Sequence, residues 1–155
     1  MRRLASLFAA LGVAACVYDG GGPPPMSPLA HDRSQPALAL FEHVLTDYFA
    51  RVGANTPTVC ASLVPRPLTA EQEQALIARF DRLAPADRCQ AAAGGWRDAI
   101  TGEAAEVVQL YDFACGSETS CTGWVRAPGK PATRYTLRFA DGAWHFDGDP
   151  RILAE

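Results

Sequence analysis

The sequence has no apolar run long enough to cross a membrane. The longest one, from Leu4 to Ala15, contains about a dozen residues, whereas a helix needs roughly 20 to span the hydrocarbon core of a bilayer. We therefore expect no permanent transmembrane helix in this chain.

Runs of basic residues are also missing. The chain carries 14 Lys and Arg against 17 Asp and Glu, which gives a net charge of -3, and no zinc-finger spacing is present. Domains that bind nucleic acid usually carry a cluster of positive charge. The composition therefore predicts no nucleic-acid partner.

Known catalytic motifs are equally scarce. The triple glycine Gly20-Gly22 lacks the Lys and Ser/Thr that complete a phosphate-binding loop, and Ser62, Ser117 and Ser120 lack the Gly-x-Ser-x-Gly of a nucleophile elbow. No cofactor is expected, and the sequence does not name a specific reaction.

The start of the chain has the layout of a secretory signal, since Arg2 and Arg3 precede the short apolar run. The residues "VAAC", Val13 to Cys16, resemble the lipobox of bacterial lipoproteins. That resemblance implies that residues 1–15 are a signal peptide and that Cys16 is acylated and attaches the protein to a lipid membrane. The alternative is a general signal peptidase that cuts the same bond and leaves Cys16 as a free thiol.

The residues after Cys16 bear on localisation and domain boundaries. Val17 stands where an aspartate would favour inner-membrane retention, so the resemblance implies an outer-membrane protein that faces the periplasm. Residues 16–35 are rich in glycine and proline and predict a lipidated, disordered tether with a solvated His31. Residues 36–155 are long enough for a single domain with a real core.

Four cysteines remain when Cys16 is set apart: Cys60, Cys89, Cys115 and Cys121. An even number in an oxidising compartment favours disulfides. Zinc is the alternative, but no Cys-x-x-Cys pair is present. If the segments around "GSETS" form a hairpin, Cys115 lies opposite Cys121, and Cys60 is left to pair with Cys89.

Helical periodicity predicts a first helix in "PALALFEHVLTDYFARV", with Phe41 and Leu45 on its buried face. His43 then points to solvent beside Asp47, and this interpretation is preferred to a metal or acid-base pair. A second helix is predicted after Thr69, which can form a capping box with Gln72.

A short third helix is predicted after Pro85. It would carry Cys89 and end at Gly94 and Gly95. The alternative is that this piece is only an irregular turn.

From Ala105 onwards, alternating residues predict strands. The last two strands flank a turn at Asp141-Gly142. This register predicts that one face, directed towards the helices, carries Leu137, Phe139, Trp144 and Phe146. It predicts that the opposite face carries Thr136, Arg138, His145 and Asp147.

Helices followed by strands predict an α+β fold, with two or three N-terminal helices packed on one face of an antiparallel sheet of about four strands. This order, together with "YTLRFADGAWHFDGD", resembles the NTF2-like superfamily, and a cystatin-like arrangement is the alternative. The NTF2-like resemblance implies a pocket between sheet and helices. Some members use it for isomerase or dehydratase chemistry and many use it only for binding.

Weak catalytic candidates are Arg138, His145 and Asp147, together with Tyr111 and Asp112. None of them matches a motif residue by residue, so a solvated cluster is the preferred interpretation of the first three. Among the three tryptophans, Trp124 is the best candidate for an exposed role.

The sequence therefore predicts a membrane-anchored periplasmic lipoprotein. Its domain is expected to bind an envelope protein or a small apolar ligand without catalysis. The alternative function is a small-molecule enzyme of the isomerase or dehydratase type.

Overall fold

The computed structural model describes residues 28–53 and 56–149. The predicted signal peptide, Cys16 and the first part of the tether lie outside the described residues. Within the described part, no helix is long and apolar enough to span a membrane.

Two α-helices and eight strands make up the described chain. Helix α1 spans Pro36–Arg51 and helix α2 spans Ala70–Arg79. The strands are β1 Thr58–Leu63, β2 Leu83–Ala84, β3 Cys89–Ala92, β4 Gly95–Asp98, β5 Ala104–Ser117, β6 Ser120–Arg126, β7 Thr133–Ala140 and β8 Ala143–Asp149.

All eight strands belong to one mixed sheet. Its main path runs β2-β1-β5-β6-β7-β8. Strand β1 is parallel to both β2 and β5, whereas β5, β6, β7 and β8 are antiparallel neighbours. Strands β3 and β4 form a hairpin, and β4 pairs with the start of β5.

The main core lies on one side of the sheet, which we call the helix face. Helix α1 contributes Phe41, Leu45 and Tyr48, and its periodic apolar residues are buried as predicted. The rest of this core comes mainly from α2 and from six strands, β1, β2, β5, β6, β7 and β8. It includes Leu76, Val59, Val108, Leu110, Cys121, Leu137 and Trp144.

Helix α2 begins as its sequence predicts. The Thr69 hydroxyl accepts a hydrogen bond from the backbone N–H of Gln72, and the Gln72 side chain accepts one from the backbone N–H of Thr69. This reciprocal arrangement satisfies two backbone donors that the first turn of a helix otherwise leaves without partners.

The prediction of an antiparallel sheet of about four strands below two or three helices is wrong. The sheet has eight strands and is mixed. It includes β1, which lies between the two helices in the sequence. The segment "TVCASL" does alternate, with Val59 and Ala61 in the main core. Its small residues and its short length gave a weak strand signal, and its pairing with β5 depends on contacts remote in the chain.

The predicted third helix is also absent. A 3₁₀ turn at Ala86–Arg88 leads into β3 and then β4. Ala93 and Gly94 form the turn of this hairpin, where Gly94 has a φ angle of +88°, and Gly95, with a φ angle of +145°, begins β4. The alanines of "CQAAA" favour a helix locally, but strand pairing and the bond from Cys89 to Cys60 override that preference.

Both predicted disulfides are confirmed. Cys60 is bonded to Cys89, and Cys115 is bonded to Cys121. The first bond holds β3 against the side of the sheet opposite the helices, which we call the outer face, where Cys60, Cys89, Ala105 and Val107 form a second small core.

The predicted register of the last hairpin is confirmed as well. Phe139 pairs with Trp144 and Arg138 pairs with His145. Asp141 and Gly142 have φ angles of +51° and +77°, as a two-residue type I′ turn requires. This register buries Leu137 and Trp144 completely or nearly so, at 0% and 3% exposure.

Residues 28–35 differ from the expected tether, because they pack against the domain. His31 Nδ1 lies 3.0 Å from the Gly142 carbonyl oxygen, and the Trp144 indole N–H donates to the Asp32 carbonyl oxygen at 3.1 Å. Arg33 pairs with Glu118 at 2.7 Å. The segment therefore lies beside the β5–β6 and β7–β8 turns.

The hairpin register predicts unequal effects for two neighbouring substitutions. Trp144→Ala removes a buried ring and should lower the free energy of unfolding by about 3 to 5 kcal/mol. His145→Ala removes an exposed side chain and should change it by no more than about 0.5 kcal/mol. Thermal melts followed by circular dichroism measure both, and equal losses would contradict the register.

Candidate functional site

The three weak catalytic candidates lie together on the outer face of β7 and β8. Arg138, His145 and Asp147 are all exposed. With Thr136 and Phe146 they line a shallow groove of about 280 Å³. The imidazole Nε2 of His145 lies 3.1 Å from the Ala140 carbonyl oxygen, at the adjacent turn. The arrangement is an open surface rather than a pocket that excludes water.

A second group of residues continues this surface onto β5 and β6. Tyr111 and Trp124 are cross-strand partners whose rings stack at 6.4 Å and 13°, and the Arg126 guanidinium lies 5.5 Å from the Tyr111 ring centroid. The Tyr111 hydroxyl is buried and has no hydrogen-bond partner among the described residues. Asp112 is exposed at a bulge that follows Tyr111.

We call this continuous surface the outer-face patch. Its cross-strand neighbours include Trp124 with Arg134 and Arg138 with His145. It consists of Tyr111, Trp124, Arg126, Arg134, Arg138, His145 and Asp147. Three arginines thus share a surface with the carboxylate of Asp147, with Asp149 opposite Arg134, although the whole chain has a net charge of -3.

His43 is exposed, as predicted, but it is not simply solvated. Its ring stacks on Phe146 at 4.6 Å and meets the Tyr135 ring edge-on at 5.8 Å. Burial against these rings lowers the pKa of His43, and the Asp47 carboxylate opposes that shift. The sequence did not predict the contacts with Phe146 and Tyr135. Helical periodicity shows which face of a helix is buried, but not which strands lie beside its exposed residues.

A shallow groove of about 340 Å³ runs along the exposed side of α1 next to His43. Ala39 and Ala50 line it together with Phe146. Asp47, at its edge, accepts a hydrogen bond from Lys130 at 2.6 Å and one from Arg51 at 3.3 Å. The hydrogen bond from Lys130 lowers the pKa of Asp47. This carboxylate is therefore held as an ion-pair partner.

The most perturbed tyrosine has a structural explanation. Tyr48 is buried in the main core, and its hydroxyl donates to the Glu106 carboxylate. Burial and this negatively charged partner raise the pKa of Tyr48 well above its usual value. The contact connects α1 to β5 and satisfies a buried hydroxyl, so it is accounted for by the fold.

Asp98 is a buried carboxylate that the sequence did not single out. It accepts hydrogen bonds from Arg88, from the Thr58 hydroxyl and from the backbone N–H groups of Ile100 and Thr101. The Arg88 contact, followed by the Thr58 contact, lowers the pKa of Asp98 far below its ordinary value. These contacts join β1, the 3₁₀ turn and β4, which are not neighbours in sequence.

The described residues contain no group of three or more His, Cys, Asp or Glu side chains placed to hold a metal ion. Comparison with known protein families, curated proteins and solved structures finds no match to this chain.

Asp98 predicts a defined pH dependence of stability. Because its pKa is lower in the folded state, ionised Asp98 stabilises the fold above the unfolded pKa of about 4. That contribution is lost as the pH falls through the folded-state value. Asp98→Asn should therefore lower the melting temperature at pH 7 by at least about 5 °C, and the difference from wild type should shrink below pH 4.

The matched control is Asp81→Asn, because Asp81 is exposed. It should melt within a degree or two of wild type at pH 7. A difference between Asp98→Asn and wild type that stays constant from pH 7 to pH 2 would contradict the ionised, hydrogen-bonded state of Asp98.

Proposed function

We propose that this protein is a bacterial envelope lipoprotein, anchored through acylated Cys16, whose periplasmic domain binds an envelope protein without catalysis. The observation that carries the proposal is the outer-face patch. Tyr, Trp and Arg are the residue types that most often dominate the energy of protein interfaces. Here all three types lie side by side on an open sheet face.

The charge of the patch indicates the chemistry of the partner. Arg126, Arg134 and Arg138 are exposed, whereas the chain as a whole is acidic. Arginine forms bidentate hydrogen bonds with carboxylates and stacks on aromatic rings. An acidic segment of an envelope protein fits this surface better than the small apolar ligand that the sequence also suggested.

The two disulfides support secretion of the chain. Structural disulfides form and persist in oxidising compartments such as the periplasm, and both bonds connect elements of this domain. The lipobox resemblance and the two disulfides therefore both favour export of the chain to the periplasm.

The position of Pro28 suggests how an anchored domain would be oriented. If the segment between Cys16 and Pro28 is the disordered tether that the sequence predicts, its root-mean-square reach would be about 20 Å. The segment that follows lies beside the β5–β6 and β7–β8 turns. Anchoring through Cys16 would thus keep that end of the sheet near the membrane.

A small-molecule enzyme is the second candidate, and one observation favours it. The pKa of His43 is lowered, which favours a neutral imidazole that could act as a base, and the 340 Å³ groove lies next to it. However, the imidazole is already stacked on Phe146, and Asp47 is held by Lys130 and Arg51. Binding to the outer-face patch requires no rearrangement of these side chains, so we prefer binding without catalysis.

The anchor is tested by Cys16→Ser. Wild-type protein from the native host should partition into detergent and carry three acyl chains by intact mass, whereas the variant should be released into the soluble fraction. Ser27→Ala, in the same segment, should behave as wild type. Recovery of an unacylated Cys16 N-terminus from the native host would refute the anchor.

The interface is tested by site-specific photo-crosslinking in intact cells. A photoreactive residue in place of Arg134 or Arg138 should give one adduct of defined mass. The same residue in place of Gln74, which is exposed on α2, should give none. Equal adducts from all three positions, or no adduct from the patch, would defeat the proposed interface.

The contribution of charge is measured by the yield of the same crosslinked adduct. Adding Arg126→Glu to the Arg138 crosslinking variant should reduce the yield by at least roughly tenfold, because the like charge repels an acidic partner. Unchanged yield with a folded domain would show that the partner is not acidic.

A further inference from the structure

The two disulfides differ in their exposure. Cys60 and Cys89 are buried, at 1% and 7% exposure. Cys115 is exposed, while its partner Cys121 is 1% exposed. An external thiol can therefore reach one sulfur of the Cys115–Cys121 bond without unfolding the domain, and thiol-disulfide exchange depends on such access.

The Cys115–Cys121 bond also lies in a surface groove with a volume of about 410 Å³. The two cysteines line this groove together with Arg33, Ser34, Pro36, Ser117 and Glu118. The groove has room for the body of a small thiol as its sulfur approaches Cys115.

The polar groups around the two bonds differ. The sulfurs of Cys60 and Cys89 lie 3.3 and 3.8 Å from the backbone carbonyl oxygens of Pro85 and Glu106, and these disfavour a thiolate. The groove at Cys115 and Cys121 is instead lined by Arg33 and Glu118, which form an ion pair at 2.7 Å. These two charges offset each other and do not oppose a thiolate.

We propose that Cys115 is a site of thiol-disulfide exchange with an external thiol. The incoming thiolate attacks the Sγ atom of Cys115, so that a new S–S bond forms and the bond to Cys121 breaks. The electron pair of the broken bond goes to Sγ of Cys121, which leaves as a thiolate. When this thiolate attacks Cys115 in turn, the original disulfide returns and the external thiol is released.

The fold tolerates this reaction because the exchanged bond closes only a small part of the chain. Cys115 and Cys121 are 6 residues apart, on strands already paired around the β5–β6 turn. Cys60 and Cys89 are 29 residues apart and hold β3 onto the sheet. Exchange at Cys115 thus alters the β5–β6 turn and the Arg33–Glu118 contact while the Cys60–Cys89 bond persists.

The experiment uses the full mature protein in detergent, equilibrated with graded ratios of reduced to oxidised glutathione. Free thiols are then alkylated and mapped by peptide mass spectrometry. Cys115 and Cys121 should become half-reduced at a glutathione ratio at least roughly tenfold less reducing than Cys60 and Cys89 require. The glutathione adduct should map to Cys115, and circular dichroism should show a folded domain.

Two results would overturn the proposal: reduction of both bonds at the same glutathione ratio, or an adduct on Cys121 rather than Cys115.

Variants provide a second measurement. Cys121→Ser removes the returning thiolate and should accumulate a stable glutathione adduct on Cys115. Arg33→Ala leaves the Glu118 carboxylate without its ion-pair partner in the groove. It should slow formation of the wild-type adduct several-fold, because the negative charge repels the incoming thiolate. Arg66→Ala, at an exposed residue outside the groove, should leave the rate unchanged. Equal rates in the two arginine variants would remove Arg33 from the site.

Discussion

The packing of α1 against the helix face of the sheet is the contact on which the rest of the structure depends. Phe41, Leu45 and Tyr48 are almost fully buried, and their core neighbours come from α2 and from six strands. Burial of a large side chain contributes roughly 1.5 to 3 kcal/mol. Without this helix, much of the helix face of the sheet would become exposed apolar surface, and contiguous apolar patches of that size are rare on monomeric domains.

Polar contacts then determine where the other elements join this core. Glu42, on α1, is buried but accepts hydrogen bonds from Arg79 of α2 at 2.7 Å and from the Ala30 backbone N–H at 3.0 Å. Asp98 joins β1, the 3₁₀ turn and β4 in a similar way. Because an ionised group is costly to bury without partners, each carboxylate favours one arrangement of its elements over alternatives that the apolar contacts alone would permit.

Local signals were sufficient for the parts of the fold that depend on local chemistry. Both helices, the capping box at Thr69, the Asp141-Gly142 turn and the pairing of Cys115 with Cys121 could be predicted from residues close together in sequence. The hairpin β3–β4 and the parallel strand β1 could not, since alanine-rich "CQAAA" favours a helix and "TVCASL" becomes a strand only beside β5. Non-local pairing decided both cases.

In the candidate site, too, local signals predicted one part and missed the part that depends on non-local pairing. Strand alternation correctly placed Arg138, His145 and Asp147 on one face, but it did not show that Tyr111 and Trp124 extend this face across two more strands. The helices cover one side of the sheet, and β3 packs against the outer side over β1 and the first half of β5. The outer side of β6, β7 and β8 remains accessible and carries aromatic and arginine side chains. Such side chains contribute little to stability when exposed but much when a partner desolvates them. Their clustering on this accessible side is the observation on which the proposed interface rests.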